Sequence, residues 1–395
     1  MDKIKFREQF AFDHKKRFYL GIEEEHWLVN HQGNLLDLSL EILKLAAKEK
    51  FNIPLDQWRF EGDILTPEVE KTFLPMLRFQ VGLQSELTLS QIEINTKPNP
   101  NPVAAYADLL QQRVMLNQLI NQLGGTILPT ATPLFHYTPN IFPSKHYRRV
   151  EKLFAENISN GYTNGLHVHI GVSSEKEAIG VFNFLREYVP ELLALSANSP
   201  LVANINTGLN SNRYFRQRSV VGPSTPEPIK SWNAYYNELE KMRCADDPTR
   251  NWKVVRIHPF GTVESRIADV QMTAKESVRI AGLVWLMAQW AINEKPHYEN
   301  SSVDDLQNRI FNAANKGLND NACVKNLSQL ILNLKKFAQQ LGQENILDEI
   351  ELMLQQRRNG AIRQLEYLKK HPENSQALFN AINHEWLHEL KGVRP

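Results

Sequence analysis

Apolar and polar positions along the chain follow two rhythms. Runs that alternate every second residue, or are rich in β-branched residues, occur at YLGIEEEHWLV (19–29), at the end of ELTLSQIEINT (86–96), at GLHVHIGV (165–172), and at NWKVVRIHP and GTVESRIADV (251–270). A turn at NHQGN followed by LLDL predicts a hairpin over Phe18 to Leu38, and TILPTATPLF predicts a short strand running into a Pro-containing loop. Helical spacing governs SLEILKLAAKEKF (39–51) and VAAYADLLQQRVMLNQLINQL (103–123), the second with Asn101 as N-cap, Pro102 as first residue and Gly124-Gly125 at its close. Ser174 with Glu177, and Thr273 with Glu276, read as capping boxes opening two more helices. From about Val303 onward the pattern is amphipathic helix only, whereas 52–84 shows no period. The stretch 199–228 is a long irregular segment of the kind that carries function.

Side chains on a strand point alternately to opposite faces, so one face of each strand can be read off directly. Glu23 and Glu25 share a face, as do Glu93 with Asn95, His167 with His169, and Glu264 with Arg266, while Ile22, Ile92, Ile94, Val168, Ile170, Val263 and Ile267 point the other way. Such strands build a sheet with helices packed on one side and a polar concavity on the other. Glu86 lies an odd number of residues before Glu93, so both reach the concavity only if a bulge or turn falls near Ser90.

A polar face is more often simply a wet one, because antiparallel sheets commonly leave one side in water. Wet faces, however, collect lysine and threonine, and here glutamate and histidine recur without lysine. Their mutual repulsion is costly unless cations lie among them. Hard carboxylate ligands with imidazole suit Mg²⁺ or Mn²⁺, which usually act on phosphates, and five carboxylates are enough for two or three ions. Arg266, Arg256 and some of Arg213, Arg216 and Arg218 supply candidate phosphate or carboxylate contacts.

Composition narrows the partners. Forty-five basic residues against forty-four acidic ones give no field that would attract nucleic acid or an anionic membrane. Two cysteines without zinc spacing suit a reducing cytoplasm, and no apolar run has signal-peptide or membrane-spanning length. No phosphate-cradling glycine loop and no nucleophile elbow occurs, so nucleotide would be held by metals and arginines.

GIEEE, SQIEINT, GLHVHIGV, LSANSP and FGTVESRIAD, in this order and spacing, resemble the glutamate-cysteine ligase family of the carboxylate-amine ligase type, within the glutamine synthetase-like superfamily. The resemblance implies an α+β fold, a curved and mainly antiparallel half-barrel with helices outside and a helical C-terminal region. It implies one catalytic domain, with a core over about 18–295 and an extension over about 303–395. By motif, Glu23, Glu25, Glu86, Glu93, His167 and Glu264 become metal ligands and Arg266 faces the transferred phosphate, with Arg256 also in a catalytic role. His169, Arg213, Arg216 and Asn198 become contacts to substrate or ATP. The implied reaction joins glutamate, or a similar acid, to cysteine or another amine through an acyl phosphate, with ATP and two or three Mg²⁺ or Mn²⁺ ions. Small molecules are then the partners, and a homo-oligomer is compatible with all of this.

Two other readings compete. INHEWLHEL carries HExxH at His384, Glu385 and His388, the spacing of a zinc peptidase, although few residues follow to complete such a site. A non-catalytic protein that keeps metal or nucleotide binding is the other.

Overall fold

The computed structural model describes residues 3–393 apart from Tyr137, Glu299 and Glu373. Its centre is a seven-stranded sheet built from β1 (Leu20–Val29), β2 (Leu83–Ser85), β3 (Gln91–Asn95), β4 (Thr126–Leu128), β5 (Gly165–Gly171), β6 (Val255–His258) and β7 (Thr262–Asp269). The order across the sheet is β6-β7-β5-β1-β3-β2, with β4 on the last three residues of β1. Every pairing is antiparallel.

Alternation along these strands sorts the faces as expected. Ile22, Ile92, Ile94, Val168, Ile170, Val263 and Ile257 enter the main core. There they meet helices Pro102–Gln122, Glu175–Glu187 and Ala274–Asn293, which lie against this side of the sheet. The opposite face carries the acids and histidines. Its far end is closed where Trp27, Val29 and Leu128 pack with Leu378, Phe379 and Ile382 of helix Ser375–Leu390. The C-terminal region is helical throughout its described residues, as the pattern predicts.

Several local expectations change. The hairpin does not form: β1 takes its partners from β3, β4 and β5, and LLDL contributes one isolated bridge between Val29 and Leu35. A ten-residue strand of this kind gains more from two full neighbours than from a four-residue return. Thr273 and Glu276 make the full capping box. At Ser174 only half of it is present, because the Glu177 carboxylate accepts instead from Ser173 N and Oγ, at 3.0 and 2.7 Å. The unpatterned segment 52–84 contains two π-helical turns, Val69–Phe73 and Leu77–Val81, whose widened spacing hides them from a 3.6-residue template. Within 199–228, NRYFRQR belongs to a helix, Asn212–Val221.

Candidate metal and phosphate site

The register of the sheet assembles the site. Glu23 stands opposite His167 on one side and Asn95 on the other, Glu25 opposite Glu93, and Glu264 opposite His169 and Arg256. Residues 86–90 leave the ladder before β3 begins, the break that parity required, and Glu86 swings back to the same face. Between Ser265 and Ala268 the β7 ladder slips against β5, a bulge that falls at Arg266.

Two groups of ligand atoms result, each within 4.8 Å of one another: Glu23, His169 and Glu264, and Glu25, Glu86 and Glu93. His167 lies between them, its Nδ1 3.2 Å from Glu23 Oε2 and its Nε2 3.7 Å from Glu25 Oε1. Both histidines reach the acid oxygens. His169, anticipated as a substrate contact, joins a ligand group, with Nδ1 2.9 Å from Thr262 Oγ1 and Nε2 3.3 Å from Glu23. His167, anticipated as a ligand, stands within reach of acids in both groups.

The groups differ electrically. Burial alone would raise the pKa of Glu23 and Glu264. For Glu264 the guanidiniums of Arg256 and Arg266 overcome it, and for Glu23 the imidazoles of His169 and His167 do, so both acids are held well below the ordinary carboxylate range. In the other group the charges of Arg266 and Arg78 are outweighed. Burial and the charge of Glu25 push Glu86 up to about 8, and burial with Glu23 and Glu86 raises Glu93 well above its usual value. Among the described residues no lysine or arginine pairs with Glu25, Glu86 or Glu93, and Oε1 of Glu93 has no hydrogen-bond partner. Two buried carboxylates and a half-buried one, none in an ion pair with a lysine or arginine among the described residues, form an oxygen-rich set that fits a hard divalent ion. Burial and Arg266 lower the pKa of His167, which favours the neutral imidazole that a metal needs.

The predicted cationic and polar contacts divide. Arg266 Nη1 donates to Glu264 and its side chain is 22% exposed. Arg256 is instead fixed behind Glu264, through Nε and Nη2 at 2.5 and 3.2 Å and through the carbonyls of Thr249 and Asn251. Its place is to hold Glu264 in position. Arg213 is buried beneath the site, donating to the carbonyls of Ile267 and Arg266. Its Nη2 would lie 2.2 Å from a Cβ at Gly165, so only glycine fits where Gly165 N donates to Glu25 at 2.6 Å.

Arg216 and Asn198 do not join the site. Arg216 is tied to the carbonyl of Ser159. Asn198 Nδ2 donates to the carbonyls of Pro129 and Val270, and its Oδ1 accepts from Gln364, a wholly structural set. Both lay in motifs or loops whose sequence says nothing of direction. Arg218 likewise pairs with Gln307.

Three neighbours of the site escaped the sequence reading. His258, whose ring centroid is 5.2 Å from that of His169, shares a face with Arg256 and was legible by the same alternation. Arg78, 3.6 Å from Glu23, and Tyr147, whose hydroxyl donates to Ser85 O at 2.9 Å, lie outside any periodic strand and carried no signal.

The antiparallel sheet gathers acid clusters and arginines on one face. Solved structures agree on the fold. Glutamate-cysteine ligase from Francisella tularensis, in complex with AMP, matches with a TM-score of 0.67 at 13% identity, covering 95% of this chain and 89% of that one. A bifunctional glutathione synthetase from Pasteurella multocida matches with a TM-score of 0.66 at 12% identity, over 94% of this chain and 52% of that one.

The sequence profile of glutamate-cysteine ligase family 2 (GCS2) matches residues 19–384, and the chain belongs to that family. A relative provisionally named glutamate-cysteine ligase 2, from Solibacter usitatus, is 32% identical over 253 residues, which are 60% of this chain and 64% of that protein. Another so named, from a Roseiflexus strain, is 29% identical over 274 residues, 68% of this chain and 65% of its own length. The chain therefore matches slightly less than two thirds of each of these relatives. No helix among the described residues is long and apolar enough to cross a membrane.

Proposed function

We propose that the chain is an ATP-dependent carboxylate-amine ligase that activates the γ-carboxylate of glutamate, or a closely similar acid, and transfers the acyl group to cysteine or another small amine. The observation that carries this reading is the Glu25, Glu86 and Glu93 group, three acids in no ion pair with lysine or arginine among the described residues, beside a second acid group that arginine and histidine hold ionised. That pairing suits divalent ions set against a phosphate. Glu23, His169 and Glu264 would hold one ion and Glu25, Glu86 and Glu93 another, with His167 between them. Mg²⁺ or Mn²⁺ at these positions would supply charge neutralisation for the phosphates.

The chemistry needs alignment rather than a protein nucleophile. An oxygen of the substrate carboxylate attacks the γ-phosphorus of ATP, and the bond to the bridging oxygen breaks with its electron pair leaving on ADP. The amine nitrogen then attacks the acyl carbon, the carbon–oxygen bond to phosphate breaks, and the amine proton leaves with the phosphate. Arg266, partly exposed beside Glu264, would donate to phosphoryl oxygens, while Arg256 keeps Glu264 oriented.

The peptidase geometry finds no support. His384 and His388 are exposed on an outer helix, Glu385 is paired with Arg363 at 2.8 Å, and no third ligand gathers with them among the described residues. The test is phosphate release from ATP and Mg²⁺ with glutamate and a panel of amines. Release should require acid and amine together and vanish in Glu264→Gln. Metal-dependent peptide cleavage that is lost in His384→Ala would overturn the ligase reading, and binding of ATP without turnover for any pair would leave a binding protein in its place.

A further inference from the structure

Arg78 is the cation that stands apart from the sheet. It rises from the π-helical turn Leu77–Val81, a departure from regular helix of the sort that recurs at functional sites. Gly82 ends that turn at φ +84°, where a Cβ would meet Asn95 O at 2.4 Å, so the turn is pressed against β3. The guanidinium reaches across to Glu23, with Nη2 3.6 Å from Oε1.

Two cavities meet at this residue. The first, about 370 Å³, is bounded by Glu23 and His169 and carries Lys16, Tyr19 and Lys97. The second, about 410 Å³, is bounded by Gln84, whose register partner is Glu93, and by Tyr147. Arg78 and Phe79 line both, and form the partition between them.

The arginines of the site are differently committed. Arg256 is held by a carboxylate and two carbonyls, and Arg266 is held by Glu264. Arg78 has an ion pair at 3.6 Å and no closer hydrogen bond among the described residues, and its side chain is 30% exposed. It lies 5.5 Å from the ring centroids of both Phe79 and Phe260, which themselves stand 6.3 Å apart and are 63% and 45% exposed. Two aromatic faces hold the guanidinium at the mouth of the site with its N–H groups free to donate.

In a reaction that moves a phosphoryl group from one substrate to another, that group must lie at the boundary of their two cavities. We propose that Arg78 binds the γ-phosphate of the nucleotide at the partition of the two cavities and stabilises it during transfer; this rests on the ligase reading. The bond formed is that of a substrate carboxylate oxygen to the γ-phosphorus and the bond broken is that to the bridging oxygen of ADP. Arg78 gives hydrogen bonds and no proton.

The test compares wild type, Arg78→Ala and Arg78→Lys for binding of Mn²⁺, of ADP and of a non-hydrolysable ATP analogue. In Arg78→Ala the analogue should bind at least about tenfold more weakly, as befits a lost charge-assisted pair, while ADP stays within about twofold. Mn²⁺ should bind as well or better, because Arg78 competes with an ion for Glu23. Arg78→Lys should recover part of the analogue affinity. Equal losses for ADP and analogue, no loss for either, or loss of Mn²⁺ binding would overturn the proposal. A wild-type protein that binds the analogue but makes no amide would overturn the ligase reading alone.

Discussion

Arg113 grips Glu24 through two hydrogen bonds, Nε to Oε2 at 2.9 Å and Nη2 to Oε1 at 2.8 Å, with both side chains wholly buried on the helix side of the sheet. His26 and Ser277 complete the carboxylate, while the carbonyls of Gln271 and Met272 complete the guanidinium. The middle acid of GIEEE is therefore a structural anchor between two site residues. Glu24→Gln leaves a buried arginine half-paired and should destabilise the fold by roughly 3–5 kcal/mol, measured by urea unfolding. Activity per folded molecule should fall far less than in Glu23→Gln or Glu25→Gln.

The same pair sets an acid limit. Burial would raise the Glu24 pKa, but Arg113 overrides it and brings the value from 4.5 to about 2. A depressed folded-state pKa contributes stability that is complete above the unfolded value and lost as pH falls through the folded one. Glu24 should thus contribute about 3 kcal/mol above pH 4.5, vanishing toward pH 2, and Glu24→Gln should flatten that part of the stability profile.

Glu86 runs the opposite way. With its pKa raised to about 8, it favours the metal-free fold below the unfolded value, and that contribution declines as pH rises toward 8. A divalent ion needs the carboxylate ionised, so binding at pH 7 should release protons. Calorimetry of Mn²⁺ binding in buffers of different ionisation enthalpy should detect them, and Glu86→Gln should reduce the number.

The last helix separates two roles within HEWLH. Trp386 is fully buried, 4.6 Å from the Arg113 guanidinium and 5.1 Å from the His26 ring. Glu389 of the same helix reaches Arg113 and accepts from Ala274 N and Lys275 N. Trp386→Ala should cost about 3–5 kcal/mol in thermal or chemical unfolding, whereas His384→Ala should stay within roughly 0.5 kcal/mol and leave metal binding unchanged.

Alternation along strands made most of the site legible. Glu23, Glu25, Glu93, His167, His169, Glu264 and Arg266 all fall on one face, and the parity of Glu86 and Glu93 announced the break before β3. What alternation cannot convey is how far a side chain extends or what already holds it. Arg256 and Arg266 look equivalent as strand arginines, yet carbonyls from residues 249 and 251 immobilise the first, while the second lies at a bulge and stays partly exposed. Arg78 was illegible because a π-helical turn has no period that a helix or strand template recognises. The false hairpin arose because local turn chemistry is visible in sequence, whereas partners in distant strands, such as Asn95 and His167 for Glu23, are not.

The path of an oxygen atom tests the central claim most directly. With the acid substrate labelled with ¹⁸O in its reacting carboxylate, amide formation through an acyl phosphate should place one labelled oxygen in each inorganic phosphate released, read by mass spectrometry. Phosphate formed together with amide but free of label would contradict the acyl-phosphate ligase.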